Sequence, residues 1–291
     1  MNSLVSENSS DSNPPGGYAN KNFHVVTDAG RYIVKFVIEH SIEELRSEAL
    51  YVDQISSMRF PCPAYLKGTD GGNVFHFDSN IIVVLYYVQG EAQDTASAER
   101  LSELGRALAQ LHLIEIDPLQ PRKTWWRSDF LKFNLALAKE HFEKGSLARL
   151  ERKIASLKLF EQDELPVSIV HGDPWPGNAL FDGQKLAALV DWEEVTIGYS
   201  IYDLAYLASH CALPNGRFDS TLFNALINAY ESERKLSTAE CQYFNQVVQR
   251  IACTNYLWLL QKSRDQGINP DNLWCRQWYL NLELDKLKLT T

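Results

Sequence analysis

Cysteine is scarce and unpaired in this chain: Cys62, Cys211, Cys241, Cys253 and Cys275 are odd in number, and no two form a C-x-x-C pair. That usage excludes a disulfide framework and a cysteine zinc site, and it fits a reducing compartment. Long basic runs are missing too. With a formal net charge of -9, the chain is not built as a general binder of nucleic acid or of an anionic membrane, yet it does not repel a cationic substrate. No stretch reaches the roughly 18 consecutive apolar residues of a membrane span. The opening MNSLVSENSSDSNPPGG is rich in Ser and Asn and lacks the apolar core of a signal peptide, so a soluble cytoplasmic protein with a frayed amino end is expected.

What is present is ordinary globular material. Hydrophobic residues make up 45% of 291, enough for about two domains. FHVVTDAGRYIVKFV, from Phe23 to Val37, reads as two strands split by a hairpin signal at Asp28-Ala29-Gly30. A helix is expected from about Ile42 to Ser57, then a strand VFHFD, a turn, and the strand IIVVLYY. Past Gly90 the character changes. Leu101, Leu104, Leu108 and Leu111 fall on one helix face, and most of the remaining chain reads as helix with one short β segment. The organisation expected is a polar tail at 1–17, a small lobe at 18–87 and a large helical lobe at 88–291.

One carboxylate is out of place. Glu48 lies on the apolar stripe of Leu45, Val52 and Ile55 in the first helix and therefore needs a partner. Lys35 alternates with Ile33 and Val37 on one face of its strand. An ion pair between Lys35 and Glu48 answers both anomalies. The bland reading sends both side chains to solvent at a lobe edge.

The segment HGDPWPGN, residues 171–178, can be neither helix nor strand. It holds Asp173 and Asn178 on a shaped loop, the kind of element that carries function. After it, ALFDGQKLAALVD reads as a hairpin turning at Gly183-Gln184, with Asn178 opposite Leu189 and Asp191 at the open end. Asp173, Asn178 and Asp191 can then converge. Two oxygen-bearing side chains suit Mg2+, and a third carboxylate beside them is free to take a proton from a hydroxyl. A metal-dependent hydrolase using His171, Asp173 and Asp191 as ligands is a competing reading, but it leaves Lys35 and Glu48 without purpose. His171 and His112 read as bracing and core residues, and Glu193 and Glu194 as a solvated pair.

The texts IVHGDPWPGNALF and LVDWEEVTIGYSIYDLAYLA, with the strand lysine and helix glutamate before them, resemble the aminoglycoside phosphotransferase and choline kinase-like family. LGRALAQLHL and the paired Trp125-Trp126 are most similar to its type II homoserine kinase branch. The resemblance implies an α+β, protein kinase-like bilobal fold with a small antiparallel-sheet lobe and a large, mainly helical lobe. It implies an ATP- and Mg2+-dependent transfer of the γ-phosphate to a hydroxyl of a small, amine-bearing metabolite. Asp173 would be the base, and Asn178 and Asp191 the Mg2+ ligands. Lys35 would meet the nucleotide phosphates, held by Glu48. A phosphate loop from Gly16 would include Gly17 and Asn20, and the main chain from Leu85 to Val88, with Leu85 and Tyr87 foremost, would take the adenine. Asp203 would brace the catalytic loop.

Two departures from that pattern stand out. The phosphate loop is not G-x-G-x-x-G, and a polar tail stands where family members have a helix and a strand, which leaves a nucleotide-binding pseudokinase as an alternative. Asp203 stands only ten positions after Glu193, too few for an activation segment ending in A-P-E, so a small acceptor is favoured over an atypical protein Ser/Thr kinase role.

Overall fold

A capping box starts the first helix of the chain. Ser41 accepts from the Glu44 N–H while the Glu44 side chain reaches back to the Ser41 N–H, and helix α1 then runs Ile42–Ser57. In this computed structural model the described residues are 20–38, 40–115, 117, 119, 121–122, 135–139, 144–157, 165–265 and 283–289. The tail at 1–17, Gly17 and the Trp125-Trp126 pair lie outside them.

Strands β1 (Lys21–Thr27) and β2 (Gly30–Val37) form the expected hairpin, and β3 (Val74–Phe77) and β4 (Asn80–Tyr86) complete a four-stranded sheet in the order β1-β2-β4-β3. Every pairing in it is antiparallel. The apolar stripe of α1 closes the core beneath this sheet: Leu45, Val52 and Ile55 are at most 2% exposed.

The large lobe is built on α2 (Ala98–His112), where Leu101, Leu104, Leu108 and Leu111 are all fully buried. Each such burial stabilises the fold by about 1.5–3 kcal/mol. Helices α3 (Lys144–Ser156), α4 (Ile201–Cys211), α5 (Ser220–Glu233) and α6 (Thr238–Asp265) come after it. Gly105 lets α2 approach α5 closely: a Cβ there would lie 2.5 Å from the Leu226 carbonyl oxygen. The molecule is thus an α+β, bilobal kinase-like fold. No helix among the described residues is long and apolar enough to cross a membrane.

The large lobe holds two small sheets, and the expected short β segment and the expected hairpin account for three of their four strands. β6 (Ala179–Asp182) pairs with β7 (Lys185–Leu189), and β5 (Val167–Val170) pairs with β8 (Thr196–Tyr199), a strand the sequence did not suggest. Just past the small lobe, Glu91 exchanges both main-chain bonds with Phe181 of β6, at 2.9 and 3.0 Å.

Candidate active site

Strand β5 delivers His171, Gly172 and Asp173 to the cleft, and a buried carboxylate from α4 fixes the chain there. Asp203 accepts the His171 N–H at 2.7 Å and the Gly172 N–H at 2.9 Å, one on each oxygen. His112 lies 3.3 Å from the same carboxylate and 2.7 Å from the Tyr230 hydroxyl, which ties the loop to α2 and α5. Gly172 has φ +86°, and a Cβ there would lie 2.6 Å from the Glu194 carbonyl oxygen, so no other residue fits. His171 is a bracing residue. Its ring accepts the Asp173 N–H at 3.3 Å, lies 3.0 Å from the Val190 carbonyl and packs on Trp192. Burial holds its pKa below the usual histidine value. With both ring nitrogens engaged, His171 is not available as a metal ligand, and the described residues hold no group of three His, Cys, Asp or Glu suited to one. That removes the basis of the hydrolase reading.

Asp173 is held at both oxygens. The Asn178 amide nitrogen donates to Oδ2 and to the Asp173 carbonyl, each at 3.0 Å. The Tyr206 hydroxyl donates to Oδ1. Burial pushes the carboxyl up to about 7, against the pull of Tyr206 and Asn178. Because Asn178 spends its nitrogen on Asp173, its amide oxygen is left as an acceptor.

The β6–β7 hairpin turns at Gly183-Gln184 as expected, but a bulge beside Leu180 shifts the register by one residue. Ala179 rather than Asn178 therefore lies opposite Leu189, and the Val190 N–H donates to the Asn178 carbonyl at 2.9 Å. Asp191 comes next with φ +63°, a left-handed conformation that aspartate tolerates better than most residues. The adjoining side chain, Trp192, is buried against His171 and Phe60, and its indole N–H bonds the Leu189 carbonyl at 2.9 Å. The two motifs of the sequence are thus packed on each other.

Lys35 crosses the cleft. Its Nζ lies 2.9 Å from Asp191 Oδ1 and also contacts Glu193. Burial disfavours the ammonium, but the charges of Asp191 and Glu193 outweigh it and raise the pKa above the ordinary lysine value. The expected ion pair with Glu48 is not formed. Glu48 is 3% exposed, as its place on the stripe requires, but it takes the Tyr65 hydroxyl instead. Its Oε2 is buried without a hydrogen-bond partner. Burial raises its pKa, and the field of Lys35 lowers it only in part. Two carboxylates on the loop after β7 reach Lys35 first.

Glu193 and Glu194 are not a solvated pair. Glu193 bonds His40 at 3.2 Å as well as Lys35 and Asn20. Burial opposes its ionisation, but His40 and Lys35 outweigh burial and hold it well below the usual carboxylate range. Glu194 is pushed up to about 8 by burial and by the charge of Asp173. Asn20, expected over the phosphates, spends its oxygen on the Ile38 N–H at 3.0 Å and its nitrogen on Glu193. At the other end of the cleft, the Tyr87 N–H donates to the Arg31 carbonyl at 3.0 Å, and Leu85 pairs with Ile33 of β2. By strand alternation the main-chain groups of both face β2 and are spent there, so neither offers adenine a free N–H.

Sequence reasoning missed Glu193, Tyr206, Tyr65 and Arg122. Arg122 pins the loop after Asp191 by donating to the Glu193 and Val195 carbonyls at 2.7 and 3.0 Å. A signal existed for Tyr206 alone: it stands three residues after Asp203 on one helix, the spacing of a shared face.

Residues 12–236 match the family described as phosphotransferase enzyme family, APH. Homoserine kinase of Xanthobacter autotrophicus is 27% identical over 231 residues, covering 77% of this chain and 71% of that protein. Homoserine kinase of Pseudomonas aeruginosa is 26% identical over 249 residues, covering 84% and 77%. Among solved structures, the microcompartment-associated aminopropanol kinase superposes with a TM-score of 0.71 at 19% identity, covering 91% of each chain. The amicoumacin kinase hAmiN, solved with AMP-PNP, Ca2+ and Ami, gives 0.68 at 15% identity, covering 94% of this chain and 88% of that one.

Proposed function

The chain belongs to the phosphotransferase enzyme family, and from that premise we propose that it moves the γ-phosphoryl group of ATP, with Mg2+, to a hydroxyl of a small amine-bearing metabolite. Homoserine is the first candidate, since the curated relatives carry that name at 22–28% identity. The observation that carries the reading is one cleft that gathers Asp173, Asn178, Asp191 and Lys35 from a loop, a hairpin end and a facing sheet.

Asp173 takes the proton of the acceptor hydroxyl, and its pKa of about 7 suits a base working near neutral pH. The Asn178 amide oxygen and the Asp191 carboxylate would hold the metal, an all-oxygen pair of the kind Mg2+ prefers while keeping waters and phosphate oxygens. When bound, the ion shields the charge on the phosphate oxygens. Lys35 meets the phosphates and, once released from Asp191, has the unmet Glu48 Oε2 to turn to. The adenine is assigned to the main chain around Val88, next after the two positions whose groups are spent in the sheet.

The test is ATP turnover by the purified protein with homoserine, choline, ethanolamine, an aminopropanol and an aminoglycoside, with identification of the phosphorylated product. Turnover that depends on one of these supports the reading. Turnover confined to a protein acceptor would reject it, and nucleotide binding without any turnover would favour the pseudokinase alternative.

A further inference from the structure

Tyr206 has no part in the roles assigned above, yet its hydroxyl is donated to the carboxylate that would receive the acceptor's proton. It shares a face of α4 with Asp203, and the two divide one task. Asp203 holds the main chain of the catalytic loop through the His171 and Gly172 N–H groups. Tyr206 holds the side chain at the end of that loop. With Asn178 on Oδ2 at 3.0 Å and the phenol on Oδ1, rotation of the Asp173 carboxylate would break one bond or the other.

The phenol is itself immobilised. Tyr206 is 7% exposed, and its ring stacks on His210 with centroids 4.2 Å apart and planes 20° apart. The His210 Nδ1 lies 2.8 Å from the Tyr206 carbonyl, so ring and main chain are fixed by the same histidine. A carboxylate oxygen has room for two hydrogen bonds, so the phenol occupies Oδ1 without closing it to a second hydroxyl.

We propose that Tyr206 is a positioning residue for phosphoryl transfer, holding the Asp173 carboxylate in the orientation from which it takes the acceptor's proton. The inference rests on Asp173 being the base. Tyr206 acts through Asp173 and has no part in holding the nucleotide.

Four proteins decide it: wild type, Tyr206→Phe, Asp173→Asn and the double variant, each assayed for ATP turnover with homoserine and for nucleotide affinity. Tyr206→Phe is expected to lower kcat about tenfold, the scale of one hydrogen bond to a charged group, with KM values and nucleotide Kd within about twofold. In the Asp173→Asn background the same change is expected to cost nothing further. An equal factor in both backgrounds, an unchanged kcat, a loss confined to KM, or a loss of nucleotide binding would each overturn the positioning role. If homoserine gives no turnover in the wild type, the choice of acceptor fails and the comparison is read on basal ATP hydrolysis, whose absence would overturn the inference as well. Full turnover by Asp173→Asn defeats the base assignment itself, whatever Tyr206→Phe does.

Discussion

Lys35 Nζ lies 2.9 Å from Asp191 Oδ1, across the cleft from the helix that carries its expected partner Glu48. Glu193 shares the ammonium, and with side chains 12% and 16% exposed the Lys35–Glu193 contact is not a solvent-screened surface pair. In the nucleotide-free protein, a double-mutant cycle of Lys35→Met with Glu193→Gln should show a coupling of about 0.5–3 kcal/mol in urea unfolding. The cycle of Lys35→Met with Glu48→Gln should couple less, and its coupling should grow when Mg2+ and ATP are added. Equal coupling in both cycles without nucleotide would contradict the arrangement described.

Asp173 and Asp191 should fail differently. Asp173→Ala is expected to lower turnover by about 10²–10⁴, the usual yield of a general base, while leaving Mg2+-nucleotide affinity nearly intact. Asp191→Ala should abolish turnover and weaken that affinity as well. Calorimetric titration of each variant separates the two, and full activity in either one refutes its assignment.

Asp203 bears on stability rather than on binding. Removing its carboxylate strands two buried N–H groups and His112, so Asp203→Ala should lose about 3–5 kcal/mol in urea unfolding. A loss under about 1 kcal/mol would mean that water replaces the carboxylate.

The α2–α5 crossing gives a prediction of sign. Alanine is a better helix former than glycine by about 1 kcal/mol, so Gly105→Ala on an open surface would stabilise. Here its Cβ would meet the Leu226 carbonyl oxygen at 2.5 Å. Overpacking of about 1–3 kcal/mol is expected to win, and the melting temperature should fall. A rise would show that the helices separate freely.

Burial pushes His210 down to about 4 from an ordinary 6.5. The unfolded chain binds a proton there at higher pH than the folded protein does. Stability carried by neutral His210 is therefore complete above about 6.5 and is lost as pH falls from there towards 4. Unfolding free energies measured across that window should decline with acid in the wild type and decline less in His210→Gln. Parallel curves would place the acid sensitivity elsewhere.

Much of the architecture could be read from the chain because helix periodicity reports burial directly. The stripe of Leu101, Leu104, Leu108 and Leu111 and the misfit of Glu48 both arise from which face of a helix meets the core. Partner choice cannot be read from such patterns. Glu48 and Glu193 are equally plausible partners for Lys35 until the loop after Asp191 is placed, and that loop is placed by Arg122 and by strand β8, neither of which has a distinctive sequence signature. The bulge beside Leu180 is similarly invisible, because one extra residue leaves the hairpin's apolar alternation looking regular.

The two main-chain bonds between Glu91 and Phe181 join the β6–β7 hairpin to the chain one residue beyond Gly90, and a third, from the Leu189 N–H to the Pro61 carbonyl at 2.9 Å, joins its other strand to the segment after α1. Both strands of the hairpin are thus fastened to chain that precedes α2, and Asn178 and Asp191 stand at the hairpin's open end. A side chain at Gly90 would meet the Leu180 Cβ at 2.9 Å and press on that hairpin. A substitution there would therefore be felt at the two oxygen-bearing side chains proposed for the metal, although Gly90 itself touches neither of them.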